Sequence, residues 1–319
     1  MKIVCLDGYT LNPGDNPWTP VERLGDLTVH DRTPADQIIT RAAGAEVILT
    51  NKTPLSANTL AKLPALRFIS VLATGYNIVD VQAAGKRGVS VSNVPVYGTD
   101  NVAQFTFALL LELCHHVGGH AELVRAGKWA ANPDFCFWNW PLVELAGKKM
   151  GLVGLGRIGR RTGEIAHAFG MEVLATDVVR GAQPAYRPFR QVELDELFST
   201  ADVVSLHCPQ TGDNAGFVNR RLLGRMKPTA FLINTSRGGL VNEPDLAEAL
   251  NAGRMAGAAV DVVSAEPIQP DNPLLKAANC IITPHIAWAT LEARRRLMQA
   301  TAQNIAAFQA GKPIRVVNA

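Results

Sequence analysis

The 319-residue chain is poor in charge and in aromatic rings. Charged residues make up 18% of it, against a usual share of about 25%, and aromatic residues 6%. With 47% hydrophobic residues, such a composition excludes intrinsic disorder, which needs low hydrophobicity and high net charge. Neither sign of charge is in excess: 31 basic and 28 acidic residues give a formal net charge of +3. No block of like charge stands out, which argues against a nucleic-acid partner. The one tight basic run, Arg294-Arg295-Arg296, falls in a helical pattern and reads as a solvated helix face. No apolar run approaches the ~18 residues of a membrane span. The best candidate, Phe105 to Cys114, has ten residues and contains Glu112. The opening MKIVCLDGYT lacks the apolar core and cleavage site of a secretory signal. Five cysteines (5, 114, 136, 208 and 280) lie far apart and form no CxxC pair. Neither a disulfide framework nor a metal site is expected, and a cytoplasmic location fits.

At roughly 150 residues per domain, the length points to two domains. Short apolar runs alternate with helix-period segments. Strands are predicted at 2–6, 46–50, 67–71, 89–93, 149–154, 172–176, 203–206, 230–234, 256–260 and 280–283. A long apolar helix is predicted over 101–117, with others over 157–169 and 243–251. Strands separated by helices imply βαβ units, hence an α/β fold with parallel sheets. The runs lack polar alternation, as strands covered on both faces should.

The strongest local motif is Gly154-Leu-Gly156-Arg157-Ile158-Gly159, between an apolar strand and a helical segment. Gly154 permits a tight turn, Gly156 lets backbone approach a pyrophosphate, and Gly159 lets the helix pack on its strand. The pyrophosphate would sit on the unpaired N–H groups and positive dipole of the helix start. The next strand ends in Asp177, 18 residues past Gly159, near the ~20 expected of the carboxylate that takes the ribose hydroxyls of NAD. Such a carboxylate repels the 2′-phosphate of NADP, a preference that Thr176 and Arg180 would soften.

Three polar residues follow predicted strands: Arg237 in Asn234-Thr-Ser-Arg-Gly-Gly239, Glu266 in Asp261-Val-Val-Ser-Ala-Glu-Pro267, and His285 in Thr283-Pro-His-Ile-Ala-Trp288. Ligands of open α/β sheets bind outside the carboxyl ends of strands. Together the three suit carbonyl reduction, although each alone also reads as an ordinary loop residue. Arg offers a fork of donors to a carboxylate, His gives a proton to a forming alkoxide, and Glu orients the His. His116 and His120 are one turn apart, but no third ligand has metal spacing, so a helix-end face is expected.

These motifs, with Ala73-Thr-Gly-Tyr-Asn77 and His207-Cys-Pro209, resemble the D-isomer-specific 2-hydroxyacid dehydrogenases nearly end to end. The stretches Val71 to Asn77, Asn93 to Thr99 and Phe135-Cys-Phe-Trp are most similar to the glycerate dehydrogenase, or hydroxypyruvate reductase, branch. The resemblance implies two Rossmann-like or flavodoxin-like parallel-sheet domains with an active-site cleft between them. Residues 1–98 plus 288–319 would bind substrate and residues 99–287 would bind NAD, with hinges near Gly98 and Trp288. It implies that Arg237, Glu266 and His285 are catalytic and that backbone N–H groups of Thr74 and Gly75 hold the substrate carboxylate. Gly154, Gly156, Arg157, Ile158, Gly159, Asp177, Cys208, Thr235 and Asp261 would line the cofactor, with Asp261 fixing the carboxamide. Thr74, Arg237 and His285 also border it. The implied activity is NADH-dependent reduction of hydroxypyruvate and glyoxylate, with NADP a weaker alternative. Other specificities are pyruvate, phosphohydroxypyruvate or phosphite, and another class is an NAD(H)-sensing corepressor-like protein. Formate dehydrogenases lack the Glu present here as Glu266, and phosphite dehydrogenases carry Lys where this chain has Thr74. A homodimer through the NAD-binding domain is implied, with the aromatic stretch Phe135 to Pro141 at the interface and Trp138 or Trp140 reaching the partner's substrate site.

Overall fold

Apolar runs without polar alternation become interior strands here because each has a packed layer on both faces. A computed structural model describes residues 1–179 and 181–318. The chain divides into two compact units, Met1–Gly98 with Trp288–Ala319, and Thr99–Ala287.

The first unit holds β1 (Lys2–Cys5), β2 (Asp26–Val29), β3 (Val47–Thr50), β4 (Phe68–Val71) and β5 (Ser90–Ser92). They form a parallel sheet in the order β2-β1-β3-β4-β5. Successive side chains of a strand point to opposite faces, so Ile3 and Cys5 enter one core layer and Val4 and Leu6 the other. The helix Leu291–Gln309 covers one face with Leu297, Met298 and Ile305, and Phe308 stacks on Phe68 at 4.6 Å.

The second unit holds β6 (Lys149–Val153), β7 (Glu172–Thr176), β8 (Phe189–Gln191), β9 (Val203–Leu206), β10 (Phe231–Asn234), β11 (Gly257–Val260) and β12 (Cys280–Ile282). The parallel order is β12-β11-β10-β9-β6-β7-β8. Chain order reverses between β6 and β9, and such a reversal opens a crevice beyond the carboxyl ends of the two strands. Asn234 pairs with Val260 and Val260 with Ile282. The loops after β10, β11 and β12 therefore leave the sheet at one level.

The structure departs from the sequence pattern in three places. Edge strands β2 and β8 are additional, since their exposed polar residues carry no interior-strand signature. The long apolar helix spans Thr99–His115 and stops short of Val117, because His116 adopts a left-handed φ of 47°. A separate helix, Val117–Arg125, follows with no buried residue. His120 Nδ1 bonds the carbonyls of His115 and His116 across this break. Finally, the run 294–296 is a solvated face at Arg295 and Arg296 but not at Arg294. Arg294 is 7% exposed and grips both carboxylate oxygens of Asp15, at 2.5 and 2.7 Å, while donating to the carbonyls of Ala289 and Leu11. Only the tertiary position of the 11–16 loop makes that site. Among the described residues no helix is long and apolar enough to cross a membrane, and no group of three or more His, Cys, Asp or Glu could hold a metal ion.

The guanidinium of Arg294, donating to Asp15, holds that carboxyl below its usual range. A depressed carboxyl stabilises the fold above its unfolded value of about 3.9 and loses that contribution as pH falls through the folded value. Asp15→Asn should lower Tm at neutral pH, and the gap to the parent should close below about pH 4. Thermal unfolding across pH 3–7 checks it; a constant gap would contradict the assignment.

Candidate active site

The turn after β6 lies at the sheet reversal. Gly154 has a φ of 98°, and a Cβ there would stand 2.7 Å from the His207 carbonyl carbon and the Cys208 nitrogen. Glycine thus serves both a left-handed turn and close approach to the loop after β9. A Cβ on Gly159 would lie 2.1 Å from the Gly154 oxygen. The helix therefore packs on the turn itself, more closely than on the strand. Gly156 precedes the helix Arg157–Ala168 and gives it no side-chain cap, and a Cβ there would meet nothing within 4 Å. Uncapped N–H groups and the helix dipole face open space, a ready anion site. Arg157, exposed, and Ile158, half-buried, begin this helix.

Asp177 directly follows β7, and its carboxylate accepts the Leu155 N–H at 2.5 Å and the Val179 N–H at 3.0 Å. It fastens the glycine turn and keeps lone pairs for further donors. Arg180 lies outside the described residues. Cys208 is half-buried, and its carbonyl accepts the Ser236 hydroxyl at 2.6 Å. His207 N–H donates to Val153, and the ring nitrogen Nε2 pairs with Ser205 Oγ at 2.9 Å. Burial pushes this imidazole down to about 4, so it is neutral behind the turn at ordinary pH. These residues fit a dinucleotide: an uncapped helix start, a space that a Cβ would enter, and a carboxylate one strand over.

Beyond β11 and β12, His285 Nδ1 pairs with Glu266 Oε2 at 2.6 Å. Both side chains are about one-third exposed, at 30% and 32%. His285 has a φ of 56°, a left-handed backbone that a non-glycine residue keeps only when its surroundings impose it. The surroundings are Asp261. Its carboxylate, 1% exposed, accepts the Thr283 hydroxyl at 2.6 Å and the N–H groups of Ile286 and Ala287 at 2.9 and 2.8 Å. Burial pushes Asp261 up, against the pull of these donors.

Arg237 is exposed at the end of β10. Asn234, fully buried, shapes its loop: Nδ2 donates to the Arg237 carbonyl and Oδ1 accepts the Ser236 N–H. Thr235 Oγ1 meets Thr106 Oγ1 at 3.1 Å. A Cβ on Gly238 would stand 1.9 Å from the Val263 carbonyl carbon, so the Arg237 and Glu266 loops touch backbone to backbone. In the first unit, Thr74 and Gly75 follow β4. Thr74 Oγ1 donates to the Val94 carbonyl and Asn93 Nδ2 to the Thr74 carbonyl, which fastens that loop.

Residues 107–287 match the family model described as D-isomer specific 2-hydroxyacid dehydrogenase, NAD binding domain. The chain belongs to that family. A hydroxypyruvate reductase of Blautia hydrogenotrophica is 52% identical over 321 residues, covering 100% of each chain. A glycerate dehydrogenase of Methylorubrum extorquens is 39% identical over 286 residues, 89% of each chain. Among solved structures, D-lactate dehydrogenase from Aquifex aeolicus, in complex with NAD and lactic acid, superposes with a TM-score of 0.83. It is 27% identical, over 100% of this chain and 99% of that one. The matched residues lie within the second unit, Thr99–Ala287.

The structure gives loads to residues that carry no motif role in sequence. Asn234 and His207 stand inside the matching motifs: Asn234 is buried, and half-buried His207 bonds Ser205 and Val153. Asp261 was expected at the nicotinamide; three of its acceptor positions are turned to the His285 loop.

The glycine geometry separates folding from cofactor binding. Gly156→Val should fold with an unchanged Tm and raise the NADH Kd at least about tenfold by filling the anion space. Gly159→Ala should instead lower Tm, because its Cβ meets backbone. Calorimetry and fluorescence titration distinguish the two; tight NADH binding by Gly156→Val would refute the assigned phosphate position.

Proposed function

We propose that this dehydrogenase reduces hydroxypyruvate to D-glycerate with NADH, and glyoxylate to glycolate at the same site. The observation that carries the chemistry is the His285–Glu266 pair at 2.6 Å, set at the strand ends of an NAD-binding domain. Nδ1–H of His285 donates to Glu266, which leaves Nε2 for the substrate. NADH, when bound, supplies a hydride to C2 of the keto acid. The proton on Nε2 passes to the forming alkoxide, and the products are the D-2-hydroxy acid and NAD+. Arg237 presents its fork to the substrate carboxylate and carbonyl. Thr74 and Gly75, after β4 of the first unit, would offer backbone donors to a carboxylate. Arg157 and Ile158 lie over the pyrophosphate, Cys208 lines the adenine, and Thr235 and Asp261 flank the nicotinamide. Asp177 favours NADH, with NADPH used more weakly. The names of the 52% and 39% identical relatives support the substrate.

The proposal includes a homodimer built on the NAD-binding unit, in the cytoplasm, where five free thiols are stable. No residue of the helix Val117–Arg125 is fully buried on its own chain. Trp129, Phe135, Trp138 and Leu142 are exposed by 51%, 89%, 65% and 55%, a concentration of apolar area that fits an interface. Trp140 already stacks on His116, and this reading gives the reach to the partner's substrate site to the more exposed Trp138.

Kinetics with hydroxypyruvate, glyoxylate, pyruvate and 3-phosphohydroxypyruvate should show highest kcat/KM for hydroxypyruvate with NADH. His285→Ala should cost about 10²–10⁴ in kcat, and Arg237→Ala should fall mainly in kcat/KM. Normal kcat/KM in Arg237→Ala would defeat the role given to it, and turnover confined to another keto acid would move the substrate. Trp138→Ala should weaken the dimer in light scattering and alter the substrate ranking; a dimer with unchanged ranking would count against the tryptophan.

A further inference from the structure

The segment that presents Glu266 runs from Val262 to Asn272 without helix or strand. Within it, Val263 N–H reaches Oε1 of Glu266 at 3.4 Å. Keeping a carboxylate 2.6 Å from an imidazole calls for a fixed anchor of its loop. Glu243 supplies one.

Glu243 is the first residue of the helix Glu243–Asn251 and is 7% exposed. Its carboxylate accepts the Ser264 N–H at 2.6 Å and the Ser264 hydroxyl at 2.8 Å. It also accepts Nδ2 of Asn272 at 2.9 Å. The orientation of Asn272 is set by Leu274, whose N–H enters Oδ1 at 3.0 Å. One buried carboxylate thus closes the loop on both sides of Glu266. The helix start stabilises its negative charge, and three donors answer its desolvation. Glu243 also follows Arg237 on the same stretch of chain, with Gly238 between them pressed on Val263 and Ser264.

We propose that Glu243 is a positioning residue for catalysis, holding Glu266 against His285 and in register with Arg237. This rests on the roles proposed above for Glu266 and His285. Glu243→Gln keeps the shape but turns an NH2 toward Nδ2 of Asn272, opposing donor to donor. It should lower kcat for hydroxypyruvate about 10- to 100-fold, as expected of a displaced catalytic group, with NADH Kd changed less than about twofold. Amides of residues 262–272 should exchange faster with deuterium.

A double-mutant cycle with Glu266→Gln decides the matter. If Glu243 acts through Glu266, its substitution costs little more once Glu266 is gone. Full kcat in Glu266→Gln would sink the reading of the site itself. Loss in Glu266→Gln, with wild-type kcat in Glu243→Gln or a fully additive double variant, would sink only the positioning role. Should Glu243→Gln not fold, Ser264→Ala and Asn272→Ala each remove a donor from the same carboxylate. Both are expected to lower kcat non-additively with Glu266→Gln, and wild-type kcat in both would overturn the proposal.

Discussion

The carboxylate of Asp261 is the constraint on which the geometry of the His285 loop, and with it the proposed site, depends. It sits at the end of β11, out of water, and a buried carboxylate is costly unless donors surround it. The donors it collects are the Thr283 hydroxyl and two successive N–H groups, Ile286 and Ala287. To bring both N–H groups onto one carboxylate, the chain turns through a left-handed residue, and that residue is His285. The strain at His285 is therefore maintained by hydrogen bonds to charge, worth about 1.5–3 kcal/mol each. The imidazole is aimed before any substrate arrives.

The same device recurs at three other loops beyond the strand ends. Asp7, after β1, accepts the N–H groups of Asn51, Lys52 and Thr53 and so shapes the loop after β3. Asp177 holds the glycine turn through Leu155. Glu243 closes the loop of Glu266. Parallel strands end with their carbonyls and amides unpaired beyond the last ladder bond, and a carboxylate with about four acceptor sites can gather several of those amides. Loops organised this way are stiff without being helical or extended, which suits sites that must hold geometry.

Close backbone contact is the second device. Gly154 against His207 and Cys208, and Gly238 against Val263, let neighbouring strand-end loops touch without side chains between them. Loops from β6 and β9 share the glycine turn, and loops from β10 and β11 share the edge that carries Arg237 and Glu266. The register of the strands puts these pairs level, so the glycines convert sheet order into site order.

Much of this was legible in the chain itself. The apolar runs at 172–176 and 203–206, the GxGxxG with Asp177, and the strand-end positions of Arg237, Glu266 and His285 all follow from local pattern. Residues two to four apart in sequence decide whether a strand, a turn or a helix start forms. The short edge strands β2 and β8 escaped that reading because half their side chains face solvent and mimic loops. Arg294 was read as solvated because its partner, Asp15, lies 279 residues away. The duties of Asp261 and Glu243 were equally hidden: a carboxylate's role is set by the donors that surround it, and those come from loops brought together only by the order of strands in the sheet. Local sequence determined the elements and the kinds of chemistry they carry. The tertiary structure alone decided which buried charge is paired with which loop, because that pairing is a property of distance in space and not along the chain.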